Sequence, residues 1–110
     1  MQFDHVGIPT SRQQLGMTFV EATRVWIADA QSHPFRVEWL RYEADSPVTG
    51  PLRETPHVGF RVDSVEEIGR LSAGMRVLLE PFDVGFAVAG FFQTADGACI
   101  ELVWYRPADA

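Results

Sequence analysis

The strongest constraint on how this chain can fold is that it repeats itself. His5-Val6-Gly7-Ile8 returns as His57-Val58-Gly59-Phe60, and Arg36-Val37-Glu38-Trp39-Leu40-Arg41-Tyr42 is echoed by Cys99-Ile100-Glu101-Leu102-Val103-Trp104-Tyr105. Aligned on Glu38 and Glu101, Tyr42 and Tyr105 coincide as well. Two matches in the same order, each with a histidine first and a glutamate later, point to a duplicated structural unit rather than to chance. At 110 residues the chain has the length of one domain. The repeat therefore predicts two modules within a single domain over 1–110: the first at about 1–46, a linker at about 47–55 and the second at about 56–106.

The repeated stretches read as strands. Further β-rich segments run from Thr18 to Ala22 and from Arg24 to Ala30, with Gln31-Ser32-His33-Pro34 as a hairpin turn before Phe35 to Tyr42. Asp45 to Pro51 has the Pro, Gly and Ser content of a turn-rich connection. The second module adds Arg76 to Leu79, Phe86 to Thr94, a turn at Ala95-Asp96-Gly97, and Ala98 to Tyr105. The intervals differ: Glu38 follows His5 by 33 positions, and Glu101 follows His57 by 44. The longer interval has room for a helix and shows one. Ser64-x-x-Glu67 has capping-box form, Val65, Ile68 and Leu71 recur at helical spacing, and Gly74 is an end signal. In the first module, Thr10 to Leu15 allows no more than a single turn.

Successive side chains on a strand point to opposite faces. Phe3, His5 and Gly7 thus share one face, with Asp4, Val6 and Ile8 behind them; His57, Gly59 and Arg61 stand opposite Val58, Phe60 and Val62. Both histidines back onto an apolar row suited to packing under a helix. Glu101 shares a face with Cys99, Val103 and Tyr105, and Glu38 with Arg36, Leu40 and Tyr42. A sheet that curls on itself would turn His5, Glu38, His57 and Glu101 toward one point. Imidazole nitrogen and carboxylate oxygen suit Zn²⁺, Fe²⁺, Mn²⁺, Co²⁺ or Ni²⁺. Four such ligands on a six-coordinate ion leave two positions for adjacent substrate oxygens, and Glu38 or Glu101 could then move a proton. An inward carboxylate needs a cation of some kind. For Glu38 an ion pair with Arg36 or Arg41 is the alternative to a metal. Arg61, on the face of His57, is a candidate contact for an anionic substrate. Cys99 reads as a small core filler that could also line the site. His33 is expected at the surface, and Trp26, Trp39 and Trp104 in the core or at a dimer contact.

Composition excludes several function classes. Net charge is −6, and the nine basic residues, all arginine, are scattered singly. Nucleic-acid binding and attachment to an anionic membrane surface both need clustered positive charge. Without lysine, Schiff-base chemistry is excluded. With Cys99 as the single cysteine, an internal disulfide and a thiolate metal cage are excluded too. No apolar run approaches the ~20 residues of a membrane helix. Met1 to His5 lacks the basic-then-apolar pattern of a secretory signal, so a cytoplasmic location is expected.

The order and spacing of these motifs resemble the vicinal oxygen chelate superfamily, which includes glyoxalase I, methylmalonyl-CoA epimerase, extradiol dioxygenases, and fosfomycin and bleomycin resistance proteins. The likeness is best from Glu38 to Val62. There Asp45-Ser46-Pro47-Val48 and Pro56-His57-Val58-Gly59-Phe60-Arg61-Val62-Asp63 look like the middle of the epimerases and glyoxalases. Asp4-His5-Val6-Gly7-Ile8 resembles the usual opening. The resemblance implies an α+β fold of two tandem βαβββ modules forming a curled mixed-sheet cup, here with the first helix strongly shortened. It implies a divalent metal held by His5, Glu38, His57 and Glu101. It further implies a metal-dependent isomerase, epimerase or glyoxalase-like lyase acting on a small molecule with adjacent oxygens. A metal-free antibiotic-sequestering protein, and a ferrous dioxygenase using His5, His57 and Glu101, are the alternatives. Exposed sheet edges in the short first module predict a homodimer.

Overall fold

The structure, a computed structural model, describes residues 1–108; the last two residues of the domain expected over 1–110 lie outside the described residues. Strands β1 (Gln2–Pro9), β2 (Thr18–Val20), β3 (Val25–Ile27) and β4 (Val37–Tyr42) come first. They are followed by helix α1 (Pro51–Glu54), β5 (His57–Arg61), helix α2 (Val65–Leu71), β6 (Arg76–Asp83), β7 (Ala87–Gln93) and β8 (Cys99–Tyr105). The class is α+β, as expected. The chain divides into two units, His5–His57 and the residues from Val58 onward together with Met1–Asp4. Among the described residues, no helix is long and apolar enough to cross a membrane.

The two units share a topology. In the first, the strand order is β2-β3-β4-β1, with β1 parallel to β4 and the other neighbours antiparallel. In the second, β6-β7-β8-β5 repeats that order, with β5 parallel to β8 and the rest antiparallel. Registers agree too: Gly7 lies opposite Glu38, and Gly59 opposite Glu101. Each glutamate is thus paired with the glycine that follows its module's histidine by two positions.

In the second unit, α2 begins where Ser64 accepts a hydrogen bond from the Glu67 N–H at 3.3 Å. Its Ile68 packs with Val62, Phe92 and Leu102, and Phe60, Ile100 and Trp104 close around them. Those residues belong to the apolar rows behind His57 and Glu101, so the helix covers the face away from the polar row. Burying side chains such as Phe92 and Ile68 contributes about 1.5–3 kcal/mol each. β6 lies at the end of its unit's strand order and runs through Pro81 with two register shifts against β7. An edge strand tolerates a proline there because its outer N–H needs no ladder partner.

In the first unit no helix joins β1 to β2 among the described residues, and β2 and β3 are only three residues each. β2 stops before the turn in which Arg24 takes φ 49, and β3 ends ahead of the 3₁₀ turn that Asp29 caps, so both strands are shorter than the sequence suggests. Arg24 is fixed there by a 2.7 Å bond to Asp45, and that guanidinium holds the Asp45 carboxyl below its ordinary value. The expected hairpin turn at 31–34 is a 3₁₀ turn, Ala30–Ser32, capped by Asp29. The linker also departs from expectation. It contains α1, started by Gly50 and Pro51. Ser46 Oγ donates to the Thr23 carbonyl at 2.5 Å, tying the linker to the β2–β3 turn. Val48 and Leu52 are buried, so this segment supplies part of the unit's apolar packing.

Candidate metal centre

Alternation along β1 and β4 determines which side chains meet. Because Gly7 pairs with Glu38 and Pro9 with Leu40, His5, Gly7 and Pro9 share a face with Glu38, Leu40 and Tyr42. His5 is 3% exposed, and its Nε2 lies 3.7 Å from Glu38 Oε1. His57, which closes the first unit, is 2% exposed. Its ring meets that of His5 edge-on, with centroids 5.5 Å apart and planes at 88°.

Glycine at position 7 is what admits His57. A Cβ there would lie 2.1 Å from His57 Cε1 and 2.5 Å from Nε2. The imidazole therefore rests directly on bare β1 backbone, and any side chain would expel it. Ligand atoms of His5, Glu38 and His57 fall within 4.8 Å of one another. Donors around one transition-metal ion lie at about 2.0–2.2 Å from it, hence within roughly 4.4 Å of each other. Side-chain adjustments of tenths of an ångström would bring these three into that range. Two imidazoles and a carboxylate are also donor types that suit first-row divalent ions better than Mg²⁺ or Ca²⁺. The residues present therefore fit a divalent transition metal.

The second unit carries the remaining candidates. Glu101 is buried on β8 opposite Gly59, and that register puts it on the ladder face to which position 57 of β5 also belongs. Cys99 is buried on the same face of β8. Val103 and Tyr105 continue that row over Ala87 and Ala89, and the Tyr105 hydroxyl donates to Asp4 at 2.6 Å. Arg61, at the end of β5, is exposed and donates to Gln2 Oε1 at 2.8 Å. Arg41, one of two possible partners for Glu38, lies 3.5 Å from Glu43.

Sequence reasoning overlooked one feature of the first unit. An open cleft of about 310 Å³ is lined by Pro9, Thr10, Ser11, Leu40, Tyr42 and Arg53. Pro9, Leu40 and Tyr42 continue the face of His5 and Glu38. Arg53 comes from α1, in what reads as a linker, where one arginine in a four-residue segment gives no periodic signal.

A family model described as Glyoxalase/Bleomycin resistance protein/Dioxygenase superfamily matches residues 12–102. Among solved structures, a methylmalonyl-CoA epimerase from Mycobacterium tuberculosis is similar at TM-score 0.61 and 21% identity, over 99% of this chain and 92% of that one. An NAD-dependent benzaldehyde dehydrogenase from Legionella pneumophila aligns at TM-score 0.44 and 15% identity, over 64% of each chain. No curated protein matches.

Proposed function

The chain belongs to the glyoxalase/bleomycin resistance protein/dioxygenase superfamily, and we propose that it is a divalent-metal-dependent isomerase, epimerase or lyase acting on a small molecule with adjacent oxygens. The observation that carries this reading is the His5–Glu38–His57 donor group, closed around a glycine with no room for a side chain. Glu101, the repeat counterpart of Glu38, is proposed as the fourth ligand. When bound, the cation supplies Lewis acidity that stabilises negative charge developing on the substrate's oxygens. His5 and His57, buried and nearly perpendicular, hold their nitrogens in fixed directions. Glu38 is part-exposed whereas Glu101 is buried. Glu38 is therefore the better placed to take a proton from the carbon beside a carbonyl and to exchange it with water. A homodimer formed through exposed strand edges, and a reducing cytoplasmic compartment suited to the free buried Cys99, belong to the same proposal.

Elemental analysis of purified protein is expected to give close to one transition-metal ion per chain, lost in His57→Gln and Glu101→Gln. Deuterium uptake from D₂O at the carbon beside the carbonyl of a 2-oxo acid or thioester should fall in Glu38→Gln. Metal content unchanged in both ligand variants would overturn the metal reading. A two-histidine, one-carboxylate set of His5, His57 and Glu101, with Glu38 making no metal contact, would instead suit a ferrous oxygenase. That second reading requires turnover to consume dioxygen.

A further inference from the structure

We propose that the cleft at Arg53 is an oxyanion subsite. The substrate would carry a carboxylate or phosphate at one end and its adjacent chelating oxygens at the other. This deepens the metal-dependent reading above, on which only the chelating end rests.

Position carries the first part of the argument. Leu40 and Tyr42 follow Glu38 by two and four residues on one face of β4, as Pro9 follows His5 on β1. At about 3.3 Å per residue, the cleft lies roughly 7–13 Å along the strands from the donor group. The cleft and the donor group therefore lie on one face of the same two strands, at a separation that a short extended molecule spans.

Charge carries the second. A guanidinium has five N–H donors. Arg53 directs Nη2 to the Glu43 carbonyl at 3.1 Å and Nη1 to the Val48 carbonyl at 3.4 Å, and its Cζ lies 5.7 Å from the centre of the Tyr42 ring. The Tyr42 hydroxyl is in turn bonded to the Leu52 carbonyl at 3.4 Å. These contacts fix the group without neutralising it: among the described residues, its polar partners are main-chain carbonyls. Arg24, Arg41, Arg70 and Arg106, by contrast, each lie within 4 Å of a carboxylate. The Thr10 hydroxyl accepts from the Arg12 N–H, which leaves its proton to donate, and Ser11 adds a second hydroxyl to the lining. A held cation beside two hydroxyls is the chemistry that recognises an oxyanion through charge-assisted hydrogen bonds. Pro9, Leu40 and the Tyr42 ring provide the apolar wall for a short hydrocarbon spacer.

The test is calorimetric titration of the Zn²⁺-loaded full chain with three hydroxamates of equal spacer length, ending in methyl, carboxylate or phosphonate. The anionic ends are expected to bind about tenfold or more tightly than the methyl end, as for a hydrogen bond to a charged group. The stronger of the two identifies the natural terminus. Arg53→Gln, which keeps a donor for the linker carbonyls, should erase that preference and leave the methyl-ended affinity unchanged. Equal binding of all three by the wild type, or equal weakening of all three in Arg53→Gln, overturns the subsite. Suberate, which lacks the hydroxamate head, is titrated into metal-free protein while the Arg53 Nε–H resonance is followed. A shift there, with hydroxamates indifferent to Zn²⁺, leaves the subsite standing and removes the metal reading. Zn²⁺-dependent hydroxamate binding with no Arg53 shift and no preference for an anionic end removes the subsite alone.

Discussion

The two modules carry the same strand order and the same glycine–glutamate register, yet among the described residues only the second has a helix between its first two strands. Behind Glu101, Val62, Ile68, Phe92 and Leu102 form a buried cluster under α2. Behind Glu38 there is no counterpart of α2 between β1 and β2 among the described residues. Val48 and Leu52 from the linker are buried elsewhere in that unit, and the Leu52 carbonyl meets the Tyr42 hydroxyl on the face that Glu38 shares. The difference teaches that the packing face and the ligating face of such a module are separable. The histidine, glycine and glutamate keep their register in the module that, among the described residues, has no helix between its first two strands.

That separation can be broken experimentally. The largest effect is expected for Phe92→Ala, which removes a side chain 2% exposed and should cost about 3–5 kcal/mol in denaturant unfolding. Metal affinity measured on the remaining folded protein should stay at the wild-type value, and a parallel fall in affinity would show that the faces are coupled. Gly7→Ala is the reverse experiment. It should lower metal affinity about 100-fold, equivalent to about 2.7 kcal/mol by competition with a chelator. The overpacking should cost the fold only about 1–3 kcal/mol. Wild-type metal binding in Gly7→Ala would refute the claim that His57 needs bare backbone beneath it. The smallest effect sharpens the contrast: Ser64→Ala should cost about 1 kcal/mol, read as a lower unfolding midpoint, because it removes the side-chain acceptor for the Glu67 N–H at the start of α2.

Most of the strand plan was legible because the duplication supplies two readings of each element. Glu38 and Glu101 fall at matching positions only if both lie on strands, and the capping residues around Ser64 mark α2 unambiguously. The helix in the linker was not legible, because Pro51–Glu54 is too short for any 3.6-residue period and Pro51 reads equally as a turn. The turn between β2 and β3 was hidden for another reason. Arg24 adopts a positive φ that side chains rarely take, and its support comes from Asp45, 21 residues away. Among the site residues, alternation gave the face of His5 within β1 and of Glu38 within β4, and the Gly7–Glu38 register put the two faces on one side. The close seat of His57 over Gly7 is a tertiary contact between residues 50 positions apart, with no local signature. Arg61 shows the limit of the face argument: it follows His57 by four residues on β5 and ends exposed against Gln2.

The parallel pairing of the first and last strand in each module also bears on how the protein is made. Parallel neighbours cannot be joined by a tight turn, so the histidine-bearing and glutamate-bearing strands are brought together across long stretches of chain, at a loop-closure cost that slows their pairing. Such long-range closure belongs late in folding, and a free ion has nothing well formed to hold onto before it. An ion arriving afterwards would favour the finished chain over every earlier species, acting as a latch by mass action rather than as a template.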